Sequence, residues 1–334
     1  MTEPSNVMDA RRGANLLNIG KKINSNMTPE EVLQNAGLDF NVELEQCKLR
    51  NGRLMKGISG NLYTYRDDTG QVLGNGLSKS YGIVQNSTVL QTINEFVGHA
   101  DATIERIGSR KNGATWFCVA QLPKEYSIMI GQEDPAQVYA VFQNSHDGSG
   151  SLKITFTSIR MGCSNQMPMF SKMAQIKLAH TTKVNVRLFN EVDTILSKVR
   201  ASIETYEVAY NKMIDTRIDR ESAIELIDDL IGSKMGMYKS DKNDKNSEKV
   251  LKFSGRHENI RDTILKNLDH ESNNINDMRG TVWAVYNAYT YYIDHQRIIN
   301  SSTGELKPEG QENAVFNAGR LDRQKAVDKC LLVC

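Results

Sequence analysis

The apolar positions divide the chain into a short helical start, a strand-like middle and a helical second half. Thr28-Pro29-Glu30-Glu31 reads as a helix start: the threonine caps, the proline suits the first helical position, and Glu31 completes a capping box. That helix is expected to run to about Ala36 and to stop at Gly37, where a left-handed residue costs glycine little. From about Gly52 the apolar runs shorten and turn residues separate them. Residues 62–65 and 71–73 flank Asp67-Asp68-Thr69-Gly70 as a hairpin, and 81–84 reads as a further short strand. Val89, Leu90, Ile93, Phe96 and Val97 then form one helical stripe. Two hairpins follow. One pairs 103–107 with 114–122 around the tip 108–113; the other pairs 137–143 with 152–163 around 144–150, where Asp147-Gly148 supplies turn geometry.

The strand from Leu152 is the most informative. Leu152, Ile154 and Phe156 alternate with Lys153, Thr155 and Thr157, but after Ser158 the phase reverses and Ile159, Met161 and Cys163 stand opposite Arg160. A period-two pattern changes face through a bulge, or its second half is covered on both sides. Beyond Val184 the spacing of Leu188, Val192, Ile195, Val199, Ile203, Tyr206, Tyr210 and Met213 predicts a helix of roughly 25–30 residues. Ile224, Ile227 and Ile231 mark a shorter helix ended by Gly232. Residues 233–252 are polar and lysine-rich and read as a mobile connection. Two more helices are expected, one near Ile260, Ile264 and Leu268 and one from Thr281 to about Arg297.

The expected fold class is α+β: a curved antiparallel sheet built from hairpins, packed by helices, with a mostly helical C-terminal half. A length of 334 residues allows one large domain or two modest ones. The pattern divides into an N-terminal helical segment (1–50), a β-rich core (51–175) and a helical region (176–334).

Composition narrows the function classes. Lys plus Arg total 41 and Asp plus Glu 40, a net charge of +1, so any polyanion binding must come from a local patch. A hydrophobic fraction of 39% suffices for a core and excludes global disorder. No run of apolar residues is long enough for a membrane span, and residues 1–13 hold no apolar stretch of the signal-peptide kind. The five cysteines lack C-x-x-C spacing and read as reduced thiols in a cytoplasmic protein; Cys330 is one place too far from the end for prenylation.

Catalytic signals are sparse. Residues 74–80 have a glycine-rich look but lack phosphate-loop spacing and lead into a strand. The six histidines form no zinc pattern, and no G-x-S-x-G occurs, so no catalytic residue, metal or cofactor is expected. A metal-dependent nuclease assembled from distant groups such as His146-Asp147 and Asp294-His295 is the enzymatic rival; otherwise Asp147 builds a turn, and Asp294 and His295 lie on a solvated or interdomain helix face. Trp283, Tyr286, Tyr289, Tyr291 and Tyr292 crowd one helix, where such rings usually pack a groove, while Asn287, Tyr291 and Asp294 share a polar face resembling an interhelical hydrogen-bond seam.

Charge distribution stands above these signals. Between Asp147 and Glu191 there is no acidic residue, although at 40 per 334 a stretch of that length would hold about five. Lys153, Arg160, Lys172, Lys177, Lys183 and Arg187 all fall within it, and Arg106, Arg110 and Lys111 accompany the first hairpin tip. These nine residues are the candidate nucleic-acid contacts, since a neutral protein that tracks phosphates would concentrate its cations in this way. The competing reading is a basic face matched by acid-rich helices such as 218–231.

Residues 28–40, Tyr81-Gly-Ile-Val-Gln-Asn86, Asn144-Ser-His-Asp-Gly-Ser149, Gly162-Cys-Ser-Asn165 and Trp283-Ala-Val-Tyr-Asn-Ala288 with Asp294-His295 resemble, in order and spacing, the phage/plasmid-like protein family, domain of unknown function 932. Phe40 stands where that family often has tryptophan, and Ser164 interrupts what is often a Cys-Asn pair. The resemblance extends from about Thr28 to Ala326 and implies a protein of mobile elements in the bacterial cytoplasm, without implying an activity. In outline, consecutive hairpins followed by a helix are also similar to phage single-strand annealing proteins. The expected function is therefore non-enzymatic binding of nucleic acid, with single-stranded DNA favoured and strand annealing as one form of it. A homo-oligomer fits that picture. The rival is an interaction factor that blocks a host protein.

Overall fold

The computed structural model describes residues 16–24, 26–48, 61–132, 134–150, 152–161, 165–168, 176–178, 184–232, 236–239, 250–270, 278–297, 315–316 and 318–334. In chain order the first half holds β1 (Lys21–Lys22), α1 (Pro29–Ala36), β2 (Val42–Gln46), β3 (Leu62–Arg66), β4 (Val72–Leu77), α2 (Asn86–His99), β5 (Thr103–Arg110), β6 (Thr115–Gln121), β7 (Ile128–Ile130), β8 (Asp134–Ser145) and β9 (Leu152–Arg160). Then come β10 (Ile176–Leu178), α3 (Val184–Asp215), α4 (Arg220–Ile231), β11 (Gly236–Lys239), β12 (Val250–Phe253), α5 (Gly255–Leu268), α6 (Val282–Tyr291) and α7 (Ala318–Val333). This is an α+β fold with antiparallel sheets and helices concentrated in the C-terminal half.

Local sequence chemistry explains most of these elements. Thr28 caps α1 through the Glu31 amide, Glu31 reaches back to the Thr28 amide, and Gly37 closes the helix at φ 68°. The hairpins at 62–77, 103–121 and 134–160 form where alternation predicted them. The helix expected after Val184 is α3, and Gly232 ends α4.

Several expectations change. Residues 81–84 are not a strand, and β2, which carries two glutamates and a glutamine, pairs with β3. The first strand of the first hairpin is longer than expected: Arg110 belongs to β5, so the tip shrinks to 111–114. The connection 233–252 contains an antiparallel pair, β11 with β12. Helix α7 was not anticipated, because its polar and apolar residues lack a clean stripe.

The main sheet is seven-stranded, with β1-β5-β6-β8-β9-β10 side by side and β7 on the end of β8. On one face Cys118, Ala120, Val138, Ala140, Phe142, Ile154 and Phe156 meet the helices and form the main core. The other face carries a smaller, separate apolar group around Phe117, Val119, Tyr139, Val141 and Ile159. The β8–β9 register runs unbroken from Ala136↔Arg160 to Gln143↔Lys153, so the reversed phase after Ser158 reflects cover on both faces. The β7 edge is closed by α3, where Glu207 accepts from the Met129 amide and Asn211 from the Gly131 amide.

Candidate functional site

Register assigns the basic residues to faces of the sheet. Lys22 stands opposite Arg106, and Arg106 opposite Val119. One row further, Gly108, Phe117, Gln143, Lys153 and Lys177 are successive partners across five strands. Arg110 occupies the next row, opposite Thr115. Lys22, Arg106, Arg110, Lys153 and the Lys177 position therefore share the sheet face of the smaller apolar group.

The individual environments differ. Arg106 is half-buried and donates to the carbonyls of Ile19 and Gly20 at 3.4 and 3.0 Å, and this burial lowers its pKa. The Arg110 guanidinium lies over the rings of Phe316 and Phe117, 4.8 and 5.7 Å from their centres. Lys111, at the tip, is exposed and its ammonium stands 3.4 Å from Asp147. Lys153 is partly exposed.

Arg160 is a correction. Its position on β9 turns it to the opposite face from Ile159, where it is wholly buried, bonded to Asp134 and 5.6 Å from the centre of the Trp283 ring. Burial pushes the Asp134 carboxyl upward while Arg160 pulls it down. Arg160 thus serves the core and offers no charge to solvent. Lys172 and Lys183 lie outside the described residues. Arg187 falls in the first turn of α3 and on no strand of the sheet.

Two buried polar nodes account for the other singled-out residues. In the first, His146 Nε2 meets Asn86 Oδ1 at 2.7 Å, Asn86 donates to the Leu38 carbonyl, and Thr64 donates to the His146 carbonyl at 2.7 Å. Gln85 bonds both backbone groups of Val42. Asp147 builds the turn by accepting from the Ser149 amide.

The second node is assembled by a π-helical turn, Tyr292–Gln296, that extends α6. The extra residue per turn brings both Asp294 and His295 inward, and they are buried. Of the solvated or interdomain face expected from sequence, burial excludes the solvated one. Asp294 accepts from the Gln166 amide and from Arg323; burial pushes its carboxyl up to about 6, against the pull of Arg323. Asn165 donates to Asn287 at 2.8 Å and faces His295 Nε2 at 3.2 Å. Of the expected interhelical polar seam, Asp294 bonds Arg323 on α7, Asn287 accepts from Asn165 in the segment after β9, and Tyr291 packs its ring on His295. Trp283, Tyr286 and Tyr289 are buried, and burial raises both tyrosines' pKa values. Among the described residues no group of three or more His, Cys, Asp or Glu is placed to hold a metal ion, and no helix is long and apolar enough to cross a membrane.

Asn86, His146, Asn165, Asn287, Asp294 and His295 of these nodes come from the strings quoted above, and a family sequence pattern, described as a domain of unknown function, matches residues 75–322, well over half of the chain. The chain belongs to the DUF932 family. The match leaves out 28–40, although Leu38 and Val42 are bonded to the matched Asn86 and Gln85. No curated protein and no solved structure matches this DUF932 chain. The sequence missed Lys22, which joins the basic face only through the β1–β5 pairing, and Arg323, whose partner lies 29 positions away.

Proposed function

We propose that this protein binds nucleic acid, with single-stranded DNA favoured, and that it does so without covalent chemistry. The observation that carries this reading is the alignment of Lys22, Arg106, Arg110 and Lys153 on one sheet face by strand register. Neighbouring strands are about 5 Å apart and successive same-face rows about 7 Å, so cations in successive rows can follow a polyphosphate backbone. The two buried nodes would then be structural, holding the strands and α6 in the register that aligns the cations. In keeping with the family resemblance, the setting would be the bacterial cytoplasm and the substrate a replicating or recombining mobile element.

The test is a gel shift of a labelled oligonucleotide across a salt series. Binding is expected to weaken steeply with salt, and Lys22→Gln, Lys111→Gln and Lys153→Gln each to lower the slope of log K against log salt by about 0.7. A salt-independent affinity would remove the proposal. Magnesium-dependent loss of full-length DNA would replace it with a nuclease, and stoichiometric co-purification of an acidic protein without DNA would replace it with an interaction factor.

A further inference from the structure

The aromatic side of the main sheet is covered, and the cover is held by the same cations that would meet phosphate. Leu16 and Ile19 from one segment, and Val315 and Phe316 from another, lie over Phe117, Tyr139 and their neighbours. Arg106 ties down the first segment through the Ile19 and Gly20 carbonyls. Arg110 sits against Phe316, whose ring is 5.2 Å from that of Phe117. The first segment leads into the two residues of β1 and the Ile23 amide bonded to the Glu105 carbonyl, and in the second the Val315 carbonyl accepts from Arg323.

Each of these contacts has a stronger counterpart in a single strand. The carbonyls of Ile19 and Gly20 are neutral acceptors, whereas phosphate oxygens are charged and can take an arginine bidentately, which adds ion pairing to the hydrogen bond. A base can replace Phe316 between Arg110 and Phe117, because every base offers a π-face for stacking. A small apolar group, separate from the main core, also opens at lower free energy than that core.

We propose that residues 16–20 and 315–316 form a displaceable cover, and that the face beneath it is the seat of the bases of a single strand. Phe117 and Tyr139 are the stacking surfaces, and Arg106 and Arg110 turn from the cover to the sugar-phosphate chain. This rests on the nucleic-acid reading above, and it adds where the bases lie and what must move to admit them.

Adjacent positions on β6 provide the test. Cys118 is wholly buried on the main-core face, and Val119 points to the covered face. In a Val119→Cys protein treated with iodoacetamide and mapped by mass spectrometry, the new thiol should react about ten-fold or more faster than Cys118. An excess of oligo(dT) should suppress that reaction. Equal rates for the two thiols would mean that the face opens only on global unfolding, which overturns the cover. A retarded oligonucleotide with undiminished labelling would place the strand elsewhere, overturning this inference while leaving nucleic-acid binding intact. No retardation at all would overturn both. In the otherwise unaltered chain, Ile19→Ala loosens the cover without touching a proposed ligand contact, so it should tighten oligo(dT) binding several-fold; unchanged or weaker binding counts against the cover.

Discussion

Asp294 and Arg323 are both completely buried, and each is the other's ionic partner inside the protein. Asp294 stands on the π-helical turn and Arg323 on α7, and the Gln166 amide shares the same carboxylate. The pair therefore fastens the C-terminal helix to α6 and to the segment after β9.

Removing one member exposes the other to the full cost of burial. Arg323→Met should destabilise the fold by about 3–5 kcal/mol at pH 7.5. Without Arg323 the Asp294 carboxyl loses its downward pull and titrates above its present value of about 6. A buried acid with a raised pKa makes the fold bind protons more tightly than the unfolded chain, so stability falls as pH rises from 3.8 through that raised value. The deficit of Arg323→Met should accordingly shrink between pH 7.5 and pH 5. Urea unfolding at the two pH values checks this, and an equal deficit at both would refute it.

Arg160 and Lys153 should separate cleanly, although both are basic residues of β9. Arg160→Met strands the buried Asp134 carboxylate and should cost about 3–5 kcal/mol of stability. Lys153→Gln should leave the melting temperature nearly unchanged and act on the salt dependence of oligonucleotide binding. Thermal melts run beside gel shifts make the comparison; a binding defect specific to folded Arg160→Met would contradict the buried assignment.

Gly74 lies against the turn that follows β8. A Cβ there would stand 2.4 Å from Asp147 Cα and 2.9 Å from the His146 carbonyl oxygen, both backbone atoms. Gly74→Ala should therefore push the 62–77 hairpin off the main sheet, at a cost of about 1–3 kcal/mol or more. Denaturant unfolding measures it, and a neutral result would show that the two backbones are not in such close contact.

Asp219 caps α4 by accepting from the Ser222 amide at 2.8 Å, and that bond to the backbone lowers its pKa below 3.8. A depressed carboxyl stabilises the fold above its unfolded value and loses that contribution as pH falls through its folded value. Asp219→Ala should lower the melting temperature at pH 7, with the difference from the parent protein narrowing as pH falls below 3.8 and the carboxylate is protonated. A difference that did not narrow on acidification would require another role for the residue.

Much of the architecture was legible because it is governed by neighbours in sequence. The Thr28 cap, the Gly37 stop and the alternation at 152–157 each depend on residues a few positions apart. By contrast, β2 was invisible, since its polar strand is defined by pairing with β3. The candidate site was half legible: an acid-free basic stretch can be counted from composition, but the count included Arg160, which Asp134 neutralises inside the core.

What the chain determines alone is thus its local grammar: where helices begin and end, where strands alternate, and how unevenly its charges are spread. Only the tertiary structure decides which of the two strand faces each cation occupies, that Lys22 joins Arg106, and that a π-turn carries Asp294 inward to Arg323. The physical reason is that alternation states which residues share a face, whereas burial, ion pairing and register depend on partners far away in sequence.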